Sequence, residues 1–237
     1  SPTDGTVIFM THATSMGSIP ALMPQAQFDP MRDFDHLSIV AAVPRVFAVR
    51  SDFPADNYAQ FVDQMKKHPN KYNFAGGLNS LEYLFIETFK KRYGIDAMFV
   101  PYQTQSQILT DFLSGVVQVC ACQLSILDPY IKNGKVKLIA VSWPTRLPDF
   151  PTVPTWNEIG IPELGITAWY GLAFPKGVDP QISDSTAQMI EKIINKKSIK
   201  ERLLLTNTQP MGTSRSDAKK IVEHTSISSR KMAQNLR

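Results

Sequence analysis

The sequence is short of the residues from which catalytic and metal centres are usually built, with 2 cysteines and 4 histidines among 237 residues. Cys120 and Cys122 stand at i and i+2, so on a strand they share a face, where a disulfide between them would be strained. None of His12, His36, His68 or His224 lies at ligand spacing from them, so buried free thiols are expected, with no metal and no other cofactor. No GxSxG elbow or phosphate loop occurs. His12 beside Thr14 and Ser15, and Cys122, are the candidates for an activated nucleophile, and neither has an orienting partner at motif spacing. No apolar run approaches the length of a membrane span, and the chain opens on SPTDGTVIF, a turn feeding a strand rather than a charged-then-apolar leader.

Charge of one sign is also scarce: 25 basic against 21 acidic residues leave a net +4. The one dense basic cluster, Lys192, Lys196, Lys197, Lys200 and Arg202, has no interleaved aromatics, which argues for a solvated helix face and against a nucleic-acid platform. With 43% hydrophobic and 19% charged residues the chain reads as globular, long enough for one large domain or two smaller ones.

What the sequence does have is a clear organising stretch, Tyr72 to Tyr93, YNFAGGLNSLEYLFIETFKKRY, in which a short strand meets glycines and then a helix. A helix opening beside a strand end points unpaired N–H groups and the positive end of its dipole above the sheet, a ready site for a carboxylate. Gly76 and Gly77 permit a tight turn and close approach of backbone to ligand. Asn79 reads as the N-cap with Glu82 three residues on, and Leu81, Leu84, Phe85 and Phe89 form the buried stripe. An ordinary capped βα turn fits the same residues.

Upstream, a strand over Thr6 to Met10 ends in THATSMGS, Thr11 to Ser18, which reads equally as a cluster of ligand-facing hydroxyls or as a polar loop entering a turn at Pro20 and Pro24. Two apolar segments between Leu37 and Arg50 flank Pro44 and read as buried strands crossing between packing units. From Pro54 to Val141 the pattern is α, β, α, β, α, β, α, β, with Asp56 capping the first helix and Pro129 near the start of the last, which predicts a parallel sheet. The segment from Trp143 to Gly165 carries five prolines and reads as irregular, with a short helix near Thr155 to Ile159. Ile166 to Phe174 is an aromatic strand in which at least one of Trp169 and Tyr170 fills a core. Asp179 starts a helix, a second runs from Ile199 to Thr206, and Ser214 with Asp217 caps a last helix whose carboxy-terminal half, thin in apolar residues, is expected to fray.

In order along the chain, DGTVIFM, PALM, FDPMRDFDHLSIVAAVPRVFAV, KYNFAGGLNS, VPYQ, LSGVVQV, PYIKNGKVKLIAVS, LPDFPTVPTWNEIGIPEL and WYGLAFPKG are similar to segments of the periplasmic solute-binding receptors of tripartite tricarboxylate transporters, the TctC or Bug-type group. The resemblance covers Pro2 to about Thr213. It implies an α/β, two-domain, periplasmic-binding-protein-like fold (Venus flytrap, type II), a periplasmic location and no catalysis. A small organic carboxylate would be held in the interdomain cleft for delivery to membrane transporter subunits. Residues 41–141 would form one domain and 1–40 with 142–237 the other. By position, Thr11, His12, Thr14 and Ser15, then Gly76, Gly77, Asn79 and Ser80, then Gln103, Cys122 and Gln123 match ligand-facing positions.

The departures carry their own expectations. Receptors of this group begin with a further strand, a ligand loop and a long helix ahead of the segment that opens this chain, so the first domain is expected to be incomplete, with an edge and apolar surface that favour self-association. Leu78 stands in a shortened glycine-rich turn, Gln103 to Gln105 replace the usual lysine and glycines, and Cys122 replaces an aspartate, which favours plain carboxylates over amino acids. Glu82 places a negative charge where an anion would sit unless it turns back to cap the helix. These changes leave room for a second reading, a repurposed receptor scaffold that acts through protein contacts without binding ligand.

Overall fold

In the computed structural model, which describes all residues except Ser1, Pro24 and Arg237, the chain begins with β1 (Phe9–His12), a π-helical turn Thr14–Ser18, α1 (Ile19–Leu22), β2 (Phe34–Val43) and β3 (Arg45–Arg50). There follow α2 (Tyr58–Lys67), β4 (Phe74–Gly77), α3 (Leu81–Tyr93), β5 (Phe99–Tyr102), α4 (Gln105–Ser114), β6 (Val119–Gln123), α5 (Leu124–Lys132) and β7 (Val136–Ser142). The remainder is α6 (Trp156–Ile159), a 3-10 turn Pro162–Leu164, β8 (Ala168–Pro175), α7 (Pro180–Ile194), α8 (Lys197–Leu204), β9 (Gln209–Pro210) and α9 (Arg215–Leu236). Of the two prolines expected to shape a turn, Pro20 lies in α1 and Pro24 is outside the described residues. Two compact units result, Ser1–Val43 with Ala168–Ala233, and Pro44–Thr167 with Gln234–Arg237.

The first unit has an antiparallel sheet in the order β1-β8-β2-β9. Thr6 does not join β1, because its amide and hydroxyl both donate to the Asp4 carboxylate at 3.0 and 2.6 Å. Leu37, Phe174, Val178, Ala187 and Ile190 form a buried cluster in which α7 lies on the sheet. Trp169 is the core member of the aromatic pair, and its indole N–H donates to Thr225 Oγ1 at 2.9 Å. Helix α9 extends to Leu236 instead of fraying past its middle. Small residues contribute to this: Thr225, Ser226, Ser229 and Ala233, together with Met232, give it a buried face without a large apolar stripe.

The second unit has a five-stranded sheet in the order β5-β4-β6-β3-β7. It is mixed rather than parallel: β4 runs parallel to β5 and β6, but β3 is antiparallel to both β6 and β7. The strand entering from Pro44 is therefore central, which the alternating pattern downstream of it did not announce. Pro101 lies within β5, tolerated because β5 is an edge strand with a side free of ladder bonds. Pro129 sits inside α5 rather than near its start, and Asn57, not Asp56, caps α2 by accepting from the Gln60 amide at 3.0 Å. Asp56 instead meets Lys137 at 2.9 Å.

An aromatic cluster fills this unit. Phe47 packs edge-on against Trp156 with ring centroids 4.9 Å apart, and against Phe89 at 5.4 Å. Phe61 and Phe74 complete the contact, and each side chain is fully buried. Trp156 explains where the proline-rich segment goes. It anchors α6 in this core, and Thr155 bridges to Val141, so residues 143–167 group with the second unit and not with the first, where the expected boundary at 142 had put them.

Candidate functional site

The parallel strands β4, β5 and β6 run in one direction and each leads into a helix, so the turns after them share the carboxyl edge of the sheet. That edge is where open α/β sheets collect polar groups and helix starts. Gly76, Gly77, Asn79 and Ser80 lie at the end of β4, Gln103 follows β5, and Gln123 ends β6. The topology thus brings the sequence-predicted residues of this unit to one edge.

The glycines act differently from expectation. Gly76 and Gly77 belong to β4, and neither has positive φ. A Cβ on Gly76 would stand 3.0 Å from Phe99 and 3.2 Å from Glu82 and Ile86, so their service is to let α3 and the Phe99 ring close onto the strand. The sharp turn is made by Asn79, at φ 52°. Ser80, not Asn79, is the N-cap: its hydroxyl accepts from the Tyr83 amide at 3.3 Å and donates to the Gly77 carbonyl at 2.6 Å. Leu78 is exposed at the tip.

With the cap at Ser80, Glu82 falls one residue short of the capping-box position and turns inward. Its carboxylate lies 3.0 Å from Arg45 Nε, and both side chains are nearly wholly buried. Arg45 also lies over the Phe85 ring at 5.5 Å. Its Nη1 has no hydrogen-bond partner among the described residues. Arg45 opens β3 directly opposite Gln123, so this cation stands at the same carboxyl edge and cancels the charge that Glu82 would otherwise set against an anion. Sequence reading missed Arg45. The available signal was a single charged residue inside the apolar run VAAVPRVFAV.

The three helix starts are not equivalent. Ser80 caps α3, and Thr104 with Gln107 forms a full capping box on α4. Helix α5 has no side-chain cap; Gln123 occupies the cap position, and the Leu124 amide donates to the Pro44 carbonyl at 2.9 Å. Each of the three helix starts thus has one first-turn amide already taken, by Ser80, by Thr104 or by the Pro44 carbonyl. Gln103 is exposed beside a groove of about 550 Å³ lined also by Tyr102 and Asp111, whose side chains meet at 2.7 Å. Burial and that bond to a carboxylate push the Tyr102 phenol up to about 12.

Cys122 is placed elsewhere. It is buried with Cys120 in an apolar cluster with Ile108, Phe112, Leu124 and Leu127. The two free thiols share a face as expected, with Sγ atoms 2.8 Å apart. Burial, and then the Cys122 thiol, raise the Cys120 pKa well above the ordinary value, so the Cys120 thiol is not a poised nucleophile.

In the first unit the predicted hydroxyls have different surroundings. Thr11 is buried opposite Gly171, and its Oγ1 has no partner among the described residues. Ser15 Oγ donates to the His12 carbonyl at 2.9 Å and accepts from the His12 amide at 3.1 Å, while the Ser15 amide donates to His12 Nδ1 at 3.3 Å. His12 and Ser15 thus bind each other's backbone as a turn rather than as base and nucleophile. Thr14 opens the π-helical turn and is half-buried. Gly17 seats that turn, since a Cβ there would stand 2.7 Å from Ser229 Oγ and 2.8 Å from the Thr225 methyl of α9.

Comparison with known proteins supplies the wider setting. The family model described as "Tripartite tricarboxylate transporter family receptor" (TctC) matches residues 1–237. BugT of Bordetella pertussis is 26% identical over 213 residues, which are 89% of this chain and 65% of that protein, so the chain spans just under two thirds of this relative. An R. palustris protein solved with adipate superposes with a TM-score of 0.87 at 23% identity, covering 100% of this chain and 79% of the other. MatC of Rhodopseudomonas palustris with bound malate superposes with a TM-score of 0.84 at 22% identity, covering 98% and 81%. These likenesses show the type II periplasmic-binding-protein-like fold.

Proposed function

The chain belongs to the tripartite tricarboxylate transporter receptor family, whose members are solute-binding receptors rather than enzymes, and from that premise we propose that it binds a small organic carboxylate. It acts as a noncatalytic periplasmic receptor and passes its ligand to a tripartite transporter in the membrane. Adipate and malate are the ligands of structural neighbours, and dicarboxylates of that size are the class we assign here.

The observation that carries the reading is the carboxyl edge of the second sheet. Turns after three parallel strands gather there, the start of α5 carries no side-chain cap, and the negative charge of Glu82 is cancelled by Arg45. Asn79, Ser80, Gln103 and Gln123 are the polar groups the second unit offers, with Gly76 and Gly77 behind them. Thr11, His12, Thr14 and Ser15 are those of the first unit. A carboxylate is favoured over an amino acid because, by the family resemblance, the position of a carboxylate partner for an ammonium group is held by Cys122, which is buried. Titration calorimetry against mono- and dicarboxylates of increasing chain length tests this. Saturable 1:1 heat with one or a few is expected, and silence across the panel with folded protein would remove the proposal.

One observation favours the second reading, a scaffold acting through protein contacts: β1 ends its sheet and carries Met10, with Ile8 just before it, both exposed. Light scattering that finds a stable assembly without ligand affinity would favour it over the receptor.

A further inference from the structure

We propose that Arg45 is a positioning residue for carboxylate binding, a role that rests on the receptor reading above. From beneath the carboxyl edge it ties the first turn of α3 to β3, and so sets the Gly77–Ser80 turn in a fixed relation to the start of α5.

The sheet order leaves this tie to side chains. Strand β6 lies between β3 and β4, so no ladder bond joins β3 to the strand that leads into α3. Arg45 and Phe47 stand at i and i+2, on one face of β3, and they meet Glu82, Phe85 and Phe89, which recur along one stripe of α3. Phe47 holds the body of the helix at Phe89, with ring centroids 5.4 Å apart. Arg45 holds its start: Nε lies 3.0 Å from the Glu82 carboxylate, and the guanidinium stands over Phe85 at 5.5 Å. Glu82 in turn lies against Gly76, where an added Cβ would be 3.2 Å from it, so the place of Glu82 fixes where the following turn lies.

The same step of chain reaches a second helix start. The Pro44 carbonyl accepts from the amide of Leu124, the first residue of α5, at 2.9 Å. Arg45 cannot slide along the sheet, because the buried Ser142 hydroxyl accepts from its amide at 3.1 Å and donates to its carbonyl at 3.0 Å. Pro44 and Arg45 thus hold two of the three helix starts, one through a carbonyl and the other through a side chain. Stability alone does not call for charge here. Desolvating a buried ion pair offsets most of its attraction, so two apolar side chains at these positions would stabilise the unit as well. What they would not supply is a directed bond that fixes distance and angle between strand and helix.

The test compares the wild type with a joint Arg45→Met, Glu82→Leu variant, which removes both charges, and with Glu82→Gln, which keeps an acceptor for the guanidinium. Adipate and its shorter and longer homologues are titrated by calorimetry once unfolding curves show each protein folded, and amide hydrogen exchange is followed at Tyr83 and Phe89. The joint variant is expected to bind at least about tenfold more weakly, the worth of one misplaced hydrogen bond to a charged group, while Glu82→Gln stays within about threefold of the wild type. In the joint variant the Tyr83 amide should exchange about tenfold faster and the Phe89 amide at its former rate, because Phe47 still holds that part of the helix. Wild-type affinity in the joint variant would show that Arg45 only cancels the Glu82 charge, and would overturn the proposal. Equal acceleration at both amides, or Glu82→Gln as weak as the joint variant, would overturn it too. Silence of the wild type toward the whole series removes the receptor reading and this role together, whereas wild-type binding that the joint variant keeps removes this role alone.

Discussion

The two units handle positive charge in opposite ways. In the second, Arg45 is drawn into the protein against Glu82 and Phe85, and the turns around it are neutral. In the first, Lys176 and Lys219 stay at the surface and the buried group, His36, is uncharged. A buried ion pair fixes geometry at the cost of desolvation, while surface cations keep their hydration and leave the geometry loose. The contrast teaches that an anion-friendly edge need not display its cation.

Removing one member of the Arg45–Glu82 pair breaks the contrast most severely. Arg45→Ala or Glu82→Ala should cost about 3–5 kcal/mol in denaturant unfolding, because each leaves an unpaired buried charge, whereas a joint Arg45→Met, Glu82→Leu variant should cost much less. A joint variant as unstable as the single ones would mean that the pair's role is packing. Next in size is Gly17→Ala, which drives a methyl into Ser229 and Thr225 and should cost about 1–3 kcal/mol by the same measurement.

Acidity sharpens the comparison further. Burial chiefly holds the His36 pKa below its ordinary value, with Lys176 and Lys219 acting in the same direction and the Pro30 carbonyl and Asp35 acting against it. The folded state thus binds fewer protons than the unfolded one, so stability should fall as pH drops below the ordinary histidine range of about 6.5. His36→Phe should flatten that part of the profile. Asp35 enters lower: burial raises its pKa, but the paired bonds from Arg215 outweigh this and leave it depressed, so its contribution is present above the ordinary aspartate range and lost as pH falls through the folded value. The smallest effect belongs to exposed pairs such as Lys67–Asp63, where Asp63→Asn should change stability by less than about 0.5 kcal/mol.

How far the sequence revealed this depended on whether a signal was local. The strands and helices from Tyr58 to Val141 were legible because apolar periodicity is written within each segment, and Pro44 was legible as a joint because proline leaves no ladder donor. The central, antiparallel place of β3 was not, since two apolar strands around a proline say nothing of their neighbours. The caps were read one residue early, at Asp56 and Asn79 instead of Asn57 and Ser80, because Asp, Asn and Ser all make good caps and only backbone dihedrals choose among them. Glu82 was mistaken for a cap partner for the same reason, and its true partner lies 37 positions earlier, 82 minus 45, beyond any local rule. Trp156 shows the same limit, since an irregular proline-rich segment gives no hint of which core its one large side chain enters.

Whether charge on a small carboxylate is what the protein recognises is decided by paired titrations of adipate and its uncharged diamide. Saturable 1:1 binding of adipate or a close dicarboxylate homologue is expected, with no binding of the matching diamide. Equal binding of the charged and uncharged members, or none of either to folded protein, would contradict it.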